Sequence, residues 1–482
     1  MGFNGLLQLL FLPLIVATTT ALALLIRARR RSLNFLQGPP TPSTLLGFEW
    51  ELRRVRSLQS FEVAWSKQYG TAYKLPGCYG EDILSVSDPR ALQHIFHKGA
   101  YRFKKPGDVQ HFSNHIFGPG IVTAQAENHQ RQRKILNPAF SVAQIRRFAS
   151  VFLTSAKSLI MKWQGELEAN GGKVADVDTV KWLPNMTLDA LGASIFEYQF
   201  GALDGKESSE LCDIIRDLFL DSRNPTPLKM LRGASFRFLP RFMERILDAF
   251  PTKEDKRFAR WLRRSQSVAG ELVKMRGDGS DEKDNDLMGV VSRALYANSP
   301  EKHLSTEEAL SQMATIIFAG HETSASSLNW VLYELAKHPE DQQKVFQEIN
   351  ALRNGTGNNG EISPKELDSL VYLNAAIKES LRLHPIVPEL FREAIIDEVI
   401  PLEYPVIDAS GSVLSEIPVV KGQRIFADIT TYNRLKQVWG EDAEIWNPDR
   451  FVDSKMHTTL GVFGNLMTFS GGIRGCIGWR FA

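Results

Sequence analysis

The chain has 482 residues, 43% of them hydrophobic and 23% charged, which is ordinary globular composition and excludes a disordered polypeptide. Its formal net charge of +2 gives no reason to expect a nucleic-acid partner. Cys78, Cys212 and Cys476 lie far apart and in no metal-ligand spacing, so we expect a reducing compartment and no disulfide framework. The length fits one large catalytic domain or two to three average ones.

The first segment predicts a membrane anchor. Gly5 to Ile26 is a run of 22 residues without a charge, and as a helix it would span roughly 33 Å, enough to cross the hydrocarbon core of a bilayer. Arg27 and Arg29 to Arg31 follow at once, so the positive-inside rule keeps the rest of the chain in the cytosol. A cleaved signal peptide is the alternative, but the run has no basic leader and is too long. We therefore predict one transmembrane helix within residues 1–31.

Residues 32–56 read as a linker, because Gly38, Pro39 and Pro40 make a stiff break between the anchor and the globular body. The remainder, residues 57–482, is the predicted catalytic domain.

Within that domain, hydrophobic periodicity predicts a mostly α fold with small β-sheets. Ser57–Tyr69 reads as a helix, and Thr71–Pro76 and Ile83–Val86 read as short strands. Most of residues 130–350 has helical periodicity, and strand-like pieces return at 394–428. Strand and helix do not alternate, which argues against a doubly wound nucleotide-binding sheet.

The longest predicted helix has an unusual centre. Ser305 and Glu308 form a capping-box pattern, and apolar sequence runs on to about Lys337, where His338-Pro339 ends it. A helix that is apolar all round is buried in a large domain. Its centre nevertheless reads Ala319-Gly320-His321-Glu322-Thr323, although glycine costs about 1 kcal/mol inside a helix and a buried carboxylate costs more. This pattern indicates a function at the middle of the helix.

A glycine-rich loop near the end of the sequence predicts a haem-thiolate site. Phe469, Gly472, Arg474, Cys476 and Gly478 follow the spacing Phe-x-x-Gly-x-Arg-x-Cys-x-Gly. Glycines let the backbone approach a flat ligand closely, and a thiolate is a soft ligand that haem iron accepts. The arginine can pair with a haem propionate. The alternative is a glycine-rich turn with a buried structural cysteine, which the complete spacing disfavours.

Together with three further motifs, this loop resembles the cytochrome P450 family along the whole chain. The four motifs occur in the family's order, which makes the resemblance specific. It implies haem b as cofactor, a monooxygenase activity, and electrons from NADPH through NADPH-cytochrome P450 reductase, with cytochrome b5 as a second donor. The further motifs are Ala319-Gly320-x-Glu322-Thr323, Glu379-x-x-Arg382 and Asn447-Pro448-x-Arg450-Phe451.

The resemblance assigns roles in the central helix. Glu322 and Thr323 match the acid–alcohol pair that delivers protons on the distal side of the iron. Gly320 would thin the helix to make room for dioxygen and substrate. The alternative is a threonine hydroxyl bonded to the carbonyl one turn back, with the glutamate paired to a neighbouring cation. We interpret His321 as a packing or surface-tending residue rather than an iron ligand.

Two further groups of residues follow from the resemblance. Glu379 and Arg382 would form a buried structural triad with Arg450, which locks the segment carrying the cysteine loop. His129, Arg133 and Arg392 would bind haem propionates, His129 standing where the family usually has tryptophan. Surface arginine is the alternative for Arg133 and Arg392.

The predicted protein is an endoplasmic-reticulum membrane protein with a cytosolic catalytic domain. Its expected substrate is an apolar small molecule, such as a terpenoid of fungal secondary metabolism. The stretch from about 218 to 250 mixes aromatic and basic residues, which suits contact with membrane lipid, although an exposed helical hairpin is the alternative. The sequence has no flavin or nicotinamide motif, so electrons must come from another protein.

The sequence ends at Ala482, six residues after Cys476, whereas family members continue through a helix and a final hairpin. We therefore expect a chain truncated shortly after the cysteine. Two other functions remain open at this point: a haem-thiolate isomerase or dehydratase that does not use dioxygen, and a truncated, non-catalytic membrane protein.

Overall fold

A computed structural model describes residues 32–54, 61–205, 209–218, 225–276, 286–356, 363–452 and 460–482. The predicted anchor, Gly5–Ile26, lies outside these residues. In the described ranges no helix is both long and apolar enough to cross a membrane. The chain forms two compact units: a sheet unit of Met1–Val109, Ser222–Ala249 and Glu389–Thr431, and a helical unit of Gln110–Asp221, Phe250–Pro388 and Tyr432–Ala482.

The sheet unit contains a five-stranded sheet with strand order β1-β2-β7-β4-β3, together with a separate hairpin of β5 and β6. All neighbouring pairs are antiparallel except β2 and β7, which are parallel. The strands are β1 (Ala72–Pro76), β2 (Asp82–Val86), β3 (Phe103–Lys104), β4 (Glu389–Ala394), β5 (Glu398–Ile407), β6 (Val413–Val419) and β7 (Arg424–Asp428).

Among the described residues, five short α-helices belong entirely to the sheet unit. Apolar residues of one sheet face, among them Leu75, Ile83 and Phe426, pack with Phe61 and Trp65 of the second helix. The alternation of side chains along each strand therefore buries this face and determines where the helix lies. The helices are α1 (Glu49–Arg54), α2 (Phe61–Tyr69), α3 (Pro89–Gln93), α10 (Pro227–Ser235) and α11 (Arg241–Asp248).

The helical unit is built around one long central helix. One more helix, α4 (Gly107–Phe117), begins in the sheet unit and continues into this one, and α18 (Ile429–Tyr432) spans another boundary in the chain. The remaining helices are α5 (Ala126–Leu136), α6 (Val142–Arg147), α7 (Ala149–Ala169), α8 (Thr179–Leu191), α9 (Ser209–Leu218), α12 (Lys253–Arg276), α13 (Leu287–Leu295), α14 (Thr306–Lys337), α15 (Pro339–Thr356), α16 (Pro364–Asp368), α17 (Val371–Leu383) and α19 (Lys436–Trp439).

The central helix, α14, has 32 residues and begins with the predicted capping box between Ser305 and Glu308. Met313 and Ile317 are fully buried in the largest hydrophobic cluster of the unit, and Ile316 nearly so. The helix is thus held by tertiary packing along its first half rather than by helix propensity alone.

The mostly α fold with small sheets is confirmed. The predicted strands at 71–76 and 83–86 correspond to β1 and β2, and the strand-like pieces at 394–428 correspond to β4 through β7. The chain forms two compact units, while the predicted boundaries at residues 31 and 56 lie at or within undescribed stretches.

Candidate active site

The cysteine loop is a pair of tight turns. A 3₁₀ turn at Met467–Phe469 is followed by another at Gly472–Arg474. The amide of Cys476 donates to the carbonyl oxygen of Phe469 at 2.8 Å, which closes the loop behind the sulfur. Gly472 has a φ of +64°, a conformation that L side chains rarely adopt, so the sequence requires glycine there.

The loop leaves little room for side chains and contains backbone strain. A Cβ on Gly475 would lie 3.0 Å from Val462 Cγ1 and 3.2 Å from the carbonyl oxygen of Gly472. Ser470 has φ 59° and ψ −167°, a region that is nearly restricted to glycine and costs about 1–3 kcal/mol. Its buried hydroxyl has no hydrogen-bond partner among the described residues. Strain of this kind is common at ligand sites, where the surrounding structure enforces it.

Cys476 has an exposed side chain, whereas the described residues on either side, Gly475 and Ile477, are buried and half-buried. Protein atoms around the sulfur desolvate it and raise the pKa of the thiol, although the Gly478 amide and the charge of Arg133 act in the opposite direction. A metal ion bound to the sulfur would deprotonate it regardless of this shift. The amide and the guanidinium are therefore placed to stabilise a thiolate once a metal holds it.

Two arginines connect the cysteine loop to α5 in opposite directions. Arg133 of α5 donates from Nη1 to the carbonyl oxygen of Gly475 at 2.6 Å. Arg474 of the loop donates from Nη1 to the carbonyl oxygen of Ala124 at 3.2 Å and from Nη2 to Oε1 of Gln125 at 3.0 Å. Each guanidinium has five N–H donors, and a propionate of bound haem would be a charged acceptor beside them.

The start of α5 contains a residue that the sequence motifs do not single out. Gln125 accepts from Arg474 and donates from Nε2 to Oε1 of Gln110 at 2.7 Å. The next residue, Ala126, has a positive φ of 43°. Only the long-range contact with the loop reveals the role of this glutamine, since no local pattern marks it. His129, one turn into the helix, is buried, with 3% of its surface exposed.

The middle of α14 combines buried and exposed residues. Ala319 is exposed and Glu322 and Thr323 are half-buried, whereas His321 is fully buried. The Thr323 hydroxyl donates to the carbonyl oxygen of Ala319 at 2.6 Å, which is the hydrogen bond of the packing alternative. The proton-relay role of Glu322 and Thr323 thus stays a prediction.

Gly320 lies against a neighbouring helix. A Cβ there would lie 2.6 Å from Cδ1 of Leu191 in α8. The Thr187 hydroxyl of α8 also donates to the carbonyl oxygen of His321 at 2.9 Å. The glycine therefore permits close packing of two helices, and the expectation that it makes room for dioxygen stays a prediction.

His321 is a packing residue, as interpreted. Its Nδ1 lies 2.5 Å from the carbonyl oxygen of Ile317, and burial lowers the pKa of the ring to about 4 despite that hydrogen bond. Its Nε2 is buried and has no partner among the described residues. The ring is thus neutral at physiological pH.

The three residues of the expected triad lie together. Arg382 makes two hydrogen bonds of 2.7 Å to the carboxylate of Glu379, and both side chains are completely buried. Arg450 Nε lies 3.5 Å from Glu379 Oε2. The same carboxylate accepts from the amide of Asn447 at 2.9 Å. These contacts join α17 to the segment that precedes the cysteine loop.

Arg392 belongs to the sheet unit, where it lies on β4. It is buried, with 6% of its surface exposed, and its guanidinium lies 4.9 Å from the centre of the Phe96 ring. Its Nη1 donates to the carbonyl oxygen of Phe391 at 2.8 Å. The surface-arginine alternative is therefore wrong for Arg392, while its contact with a propionate stays a prediction.

The residues of the helical unit fit haem b. The exposed residue Cys476 stands in a loop where Gly472 takes a conformation that L side chains rarely adopt and where a Cβ on Gly475 would crowd Val462. The exposed Ala319 interrupts the buried surface of α14, and its neighbour Phe318 packs against the same hydrophobic cluster as Ile477. A soft thiolate, a small residue in a neighbouring helix and two arginines beside the loop are the donor set that a haem with propionates requires.

Comparisons with known proteins agree with this site. A family model described as cytochrome P450 matches residues 37–482. The chain is 34% identical to cytochrome P450 monooxygenase 205 of Postia placenta, over 99% of this chain and 88% of the relative. It is 32% identical to cytochrome P450 monooxygenase claO of Ampulloclitocybe clavipes, over 100% of this chain and 88% of the relative. It is 30% identical to ganoderic acid synthetase CYP5150L8 of Ganoderma lucidum, over 94% and 85%.

The match extends over nearly the whole chain and includes the cysteine loop, the central helix and the buried triad. With the site geometry and the family model in agreement, the chain belongs to the cytochrome P450 family of haem b monooxygenases.

Proposed function

We propose that this protein is a membrane-anchored monooxygenase of the endoplasmic reticulum that oxidises an apolar small molecule of fungal secondary metabolism, for example a terpenoid. Its electrons come from NADPH through NADPH-cytochrome P450 reductase, with cytochrome b5 as a second donor. The observation that carries the proposal is the exposed residue Cys476 in a strained glycine-rich loop. A structural cysteine would be buried and inert.

The bound haem supplies the redox chemistry of dioxygen, and the residues of this chain hold and surround it. Cys476 provides the ligand, and the Gly478 amide and Arg133 reduce the charge density on its sulfur. Arg133 and Arg474 keep the loop in register with α5 and would bring positive charge to the propionates. Glu322 and Thr323, half-buried beside the exposed Ala319, hold and pass protons at their carboxyl and hydroxyl oxygens.

An apolar substrate is supported by the surroundings of Ala319. The side chains before it on α14, including Ile316 and Phe318, are apolar and line the largest hydrophobic cluster. Two relatives are cytochrome P450 monooxygenases of Ampulloclitocybe clavipes, and a third is named a ganoderic acid synthetase. These names support fungal secondary metabolism as the setting.

Membrane lipid as a partner is supported by α11 as well as by the predicted anchor. Phe242, Met243 and Ile246 of this helix are exposed, at 65%, 38% and 57%. Arg245 lies on the same helix and is also exposed. A short helix with exposed large apolar side chains and basic residues suits the boundary between headgroups and acyl chains.

The carbon-monoxide difference spectrum of the reduced 482-residue chain tests the haem-thiolate assignment. We expect a strongly red-shifted Soret band, which Cys476→Ser abolishes because the thiolate is lost. Cys78→Ser is the matched control and should keep the band. Cys78 is buried, and its thiol donates a hydrogen bond to the carbonyl oxygen of Leu46. Absence of the band from the parent chain would contradict the proposed enzyme.

Turnover with the reductase tests the reaction type. Oxidised product should require both NADPH and dioxygen, with one oxygen atom from ¹⁸O₂ in each hydroxylated product. Thr323→Val should uncouple NADPH consumption from product formation. Product formation without NADPH would instead favour the isomerase or dehydratase alternative.

A further inference from the structure

Two histidines lie one helical turn apart on α4. His111 and His115 are at positions i and i+4, and such residues lie on the same face of a helix. Their ring centres are 4.3 Å apart and their planes are inclined by 48°. Both rings are half-buried, while Ser113 and Ile116 of the same helix are buried in the core. Core packing thus fixes the orientation of α4 and holds the two imidazoles together.

The hydrogen bond of His115 prepares its ring for a metal. Nδ1 lies 2.9 Å from the carbonyl oxygen of His111, and a carbonyl oxygen can only accept. Nδ1 therefore carries the proton, which leaves the lone pair of a neutral ring on Nε2. Metal-binding histidines almost always donate their other ring N–H to a carbonyl or carboxylate in this way, because it fixes the tautomer and raises ligand basicity.

The distance between the two rings is also suitable. A nitrogen of His111 and a nitrogen of His115 lie within 4.8 Å of each other. A tetrahedral zinc ion with Zn–N bonds of about 2.0–2.1 Å holds two nitrogen ligands roughly 3.4 Å apart. Small side-chain rotations close that difference. Imidazole pairs of this spacing on one helix face are a known arrangement for zinc.

The field of the helix adds to the affinity. α4 ends at Phe117, so His115 lies in its last turn, close to the negative end of the helix dipole. A cation is stabilised at that end, because the carbonyl groups of the last turn point toward it. The neighbouring amides Gln110 and Asn114 bond to one another at 3.0 Å and bring no positive charge to this face.

We propose that His111 and His115 form a binding site for a divalent transition-metal ion of the zinc, copper or nickel type, separate from the haem thiolate. The ion bridges two turns of α4, and water completes its coordination. Imidazole nitrogens select these metals over calcium or magnesium, which prefer oxygen ligands. The site is independent of the proposed oxidation reaction.

Zinc binding to the full haem-loaded chain, measured by isothermal titration calorimetry, tests this site. Haem loading keeps Cys476 coordinated, so its sulfur does not compete for the metal. His111→Gln and His115→Gln should each weaken zinc binding by about tenfold or more, since each removes one of two protein ligands. His303→Gln is the matched control, because His303 is exposed and lies in another segment, and it should leave the affinity unchanged.

Amide hydrogen exchange provides the second readout. Zinc should slow exchange in α4 of the parent chain, and leave α4 of both histidine variants unaffected. The Soret band of each variant shows whether it has folded and kept its haem, so a misfolded variant is recognised. Absence of zinc binding to the parent chain, or binding that survives both substitutions, would overturn the site.

Discussion

Arg382 of the helical unit and Arg237 of the sheet unit are both buried among carboxylates, but they differ in how the partners are gathered. Arg382 pairs with Glu379, three residues earlier on the same helix. Arg237 lies between α10 and α11, and its guanidinium contacts Glu49, Glu81 and Asp108 from three distant segments. The first cluster is assembled by helix geometry, and the second only by the tertiary fold.

The remaining donors of Arg382 go to the backbone. Its Nη1 donates to the carbonyl oxygen of Asn433 at 2.7 Å and also to that of Ala443, and its Nη2 donates to that of Ile445 at 3.2 Å. With a completely buried partner on one side and carbonyl oxygens on the other, the guanidinium is fully satisfied. The cluster therefore holds the segment before the cysteine loop in one conformation.

The Arg237 cluster is governed by charge balance. Three carboxylates face two arginines, Arg237 and Arg424, and the Arg424 guanidinium lies 2.9 Å from Asp108. Burial raises the pKa of Glu49, but the two arginines outweigh it and hold that pKa below its ordinary value. At Glu81, burial prevails and raises the pKa. The three carboxylates around Arg237 are 8–14% exposed and can also recover some hydration. The side chain of Glu379, in contrast, has no exposed surface.

The largest effect that separates the two clusters is expected from Arg382→Met. This substitution leaves Glu379 charged and completely buried, which should cost about 3–5 kcal/mol. We expect a lower urea midpoint and loss of haem, because the segment before the cysteine loop is released. Arg146→Met is the matched control: its partner Asp368 lies 3.6 Å away and both side chains are at least half exposed, so the cost should be about 0–1 kcal/mol.

Arg237→Met should cost somewhat less, about 3 kcal/mol at neutral pH, because its carboxylates can take up protons or water. The loss should depend on pH. In the parent protein the pKa values of Glu49 and Asp108 are depressed, so their stabilising pairs are present above the ordinary values of 4.5 and 3.8 and fade as pH falls.

The variant should therefore be penalised more at about pH 7 than at about pH 3.5, as measured by urea midpoints. Equal losses at both pH values would contradict the charge-balance interpretation and indicate a packing role for Arg237.

The smallest effect on stability is expected for the carboxyl group of Glu62, which has no arginine partner among the described residues. Glu62 of α2 is 5% exposed, and burial together with the charge of Asp428 raises its pKa to about 8. The folded protein thus retains a proton that the unfolded chain releases above its ordinary pKa of 4.5. Stability should fall as pH rises from about 5 to 8, because over this range the unfolded chain has released the proton that the folded protein still holds.

Glu62→Gln replaces the protonated acid with a neutral isostere and should flatten that part of the stability profile. Glu307→Gln, at an exposed position on α14, should leave the profile as in the parent. A profile that keeps its slope in Glu62→Gln would assign the proton uptake to another group, such as Glu389, whose pKa burial also raises.

Local features of the fold follow from the sequence because they depend on contacts within a few residues. The capping box of Ser305 and Glu308 and the end of α14 at Lys337 are found where predicted. The pairing of Glu379 with Arg382 likewise needs only helix geometry. The motif spacing around Cys476 is sufficient by itself to indicate a haem ligand.

Only the tertiary structure decided the contacts that join distant segments. The packing of Gly320 against Leu191, the hydrogen bond from Arg474 to Gln125, and the gathering of carboxylates around Arg237 have no local signature. In each case the two partners lie between 129 and 349 residues apart in the sequence. The sequence alone determined the family and the haem ligand, because a motif is a local pattern. The direction and burial of side chains were decided only by the tertiary structure, because they depend on which elements pack together.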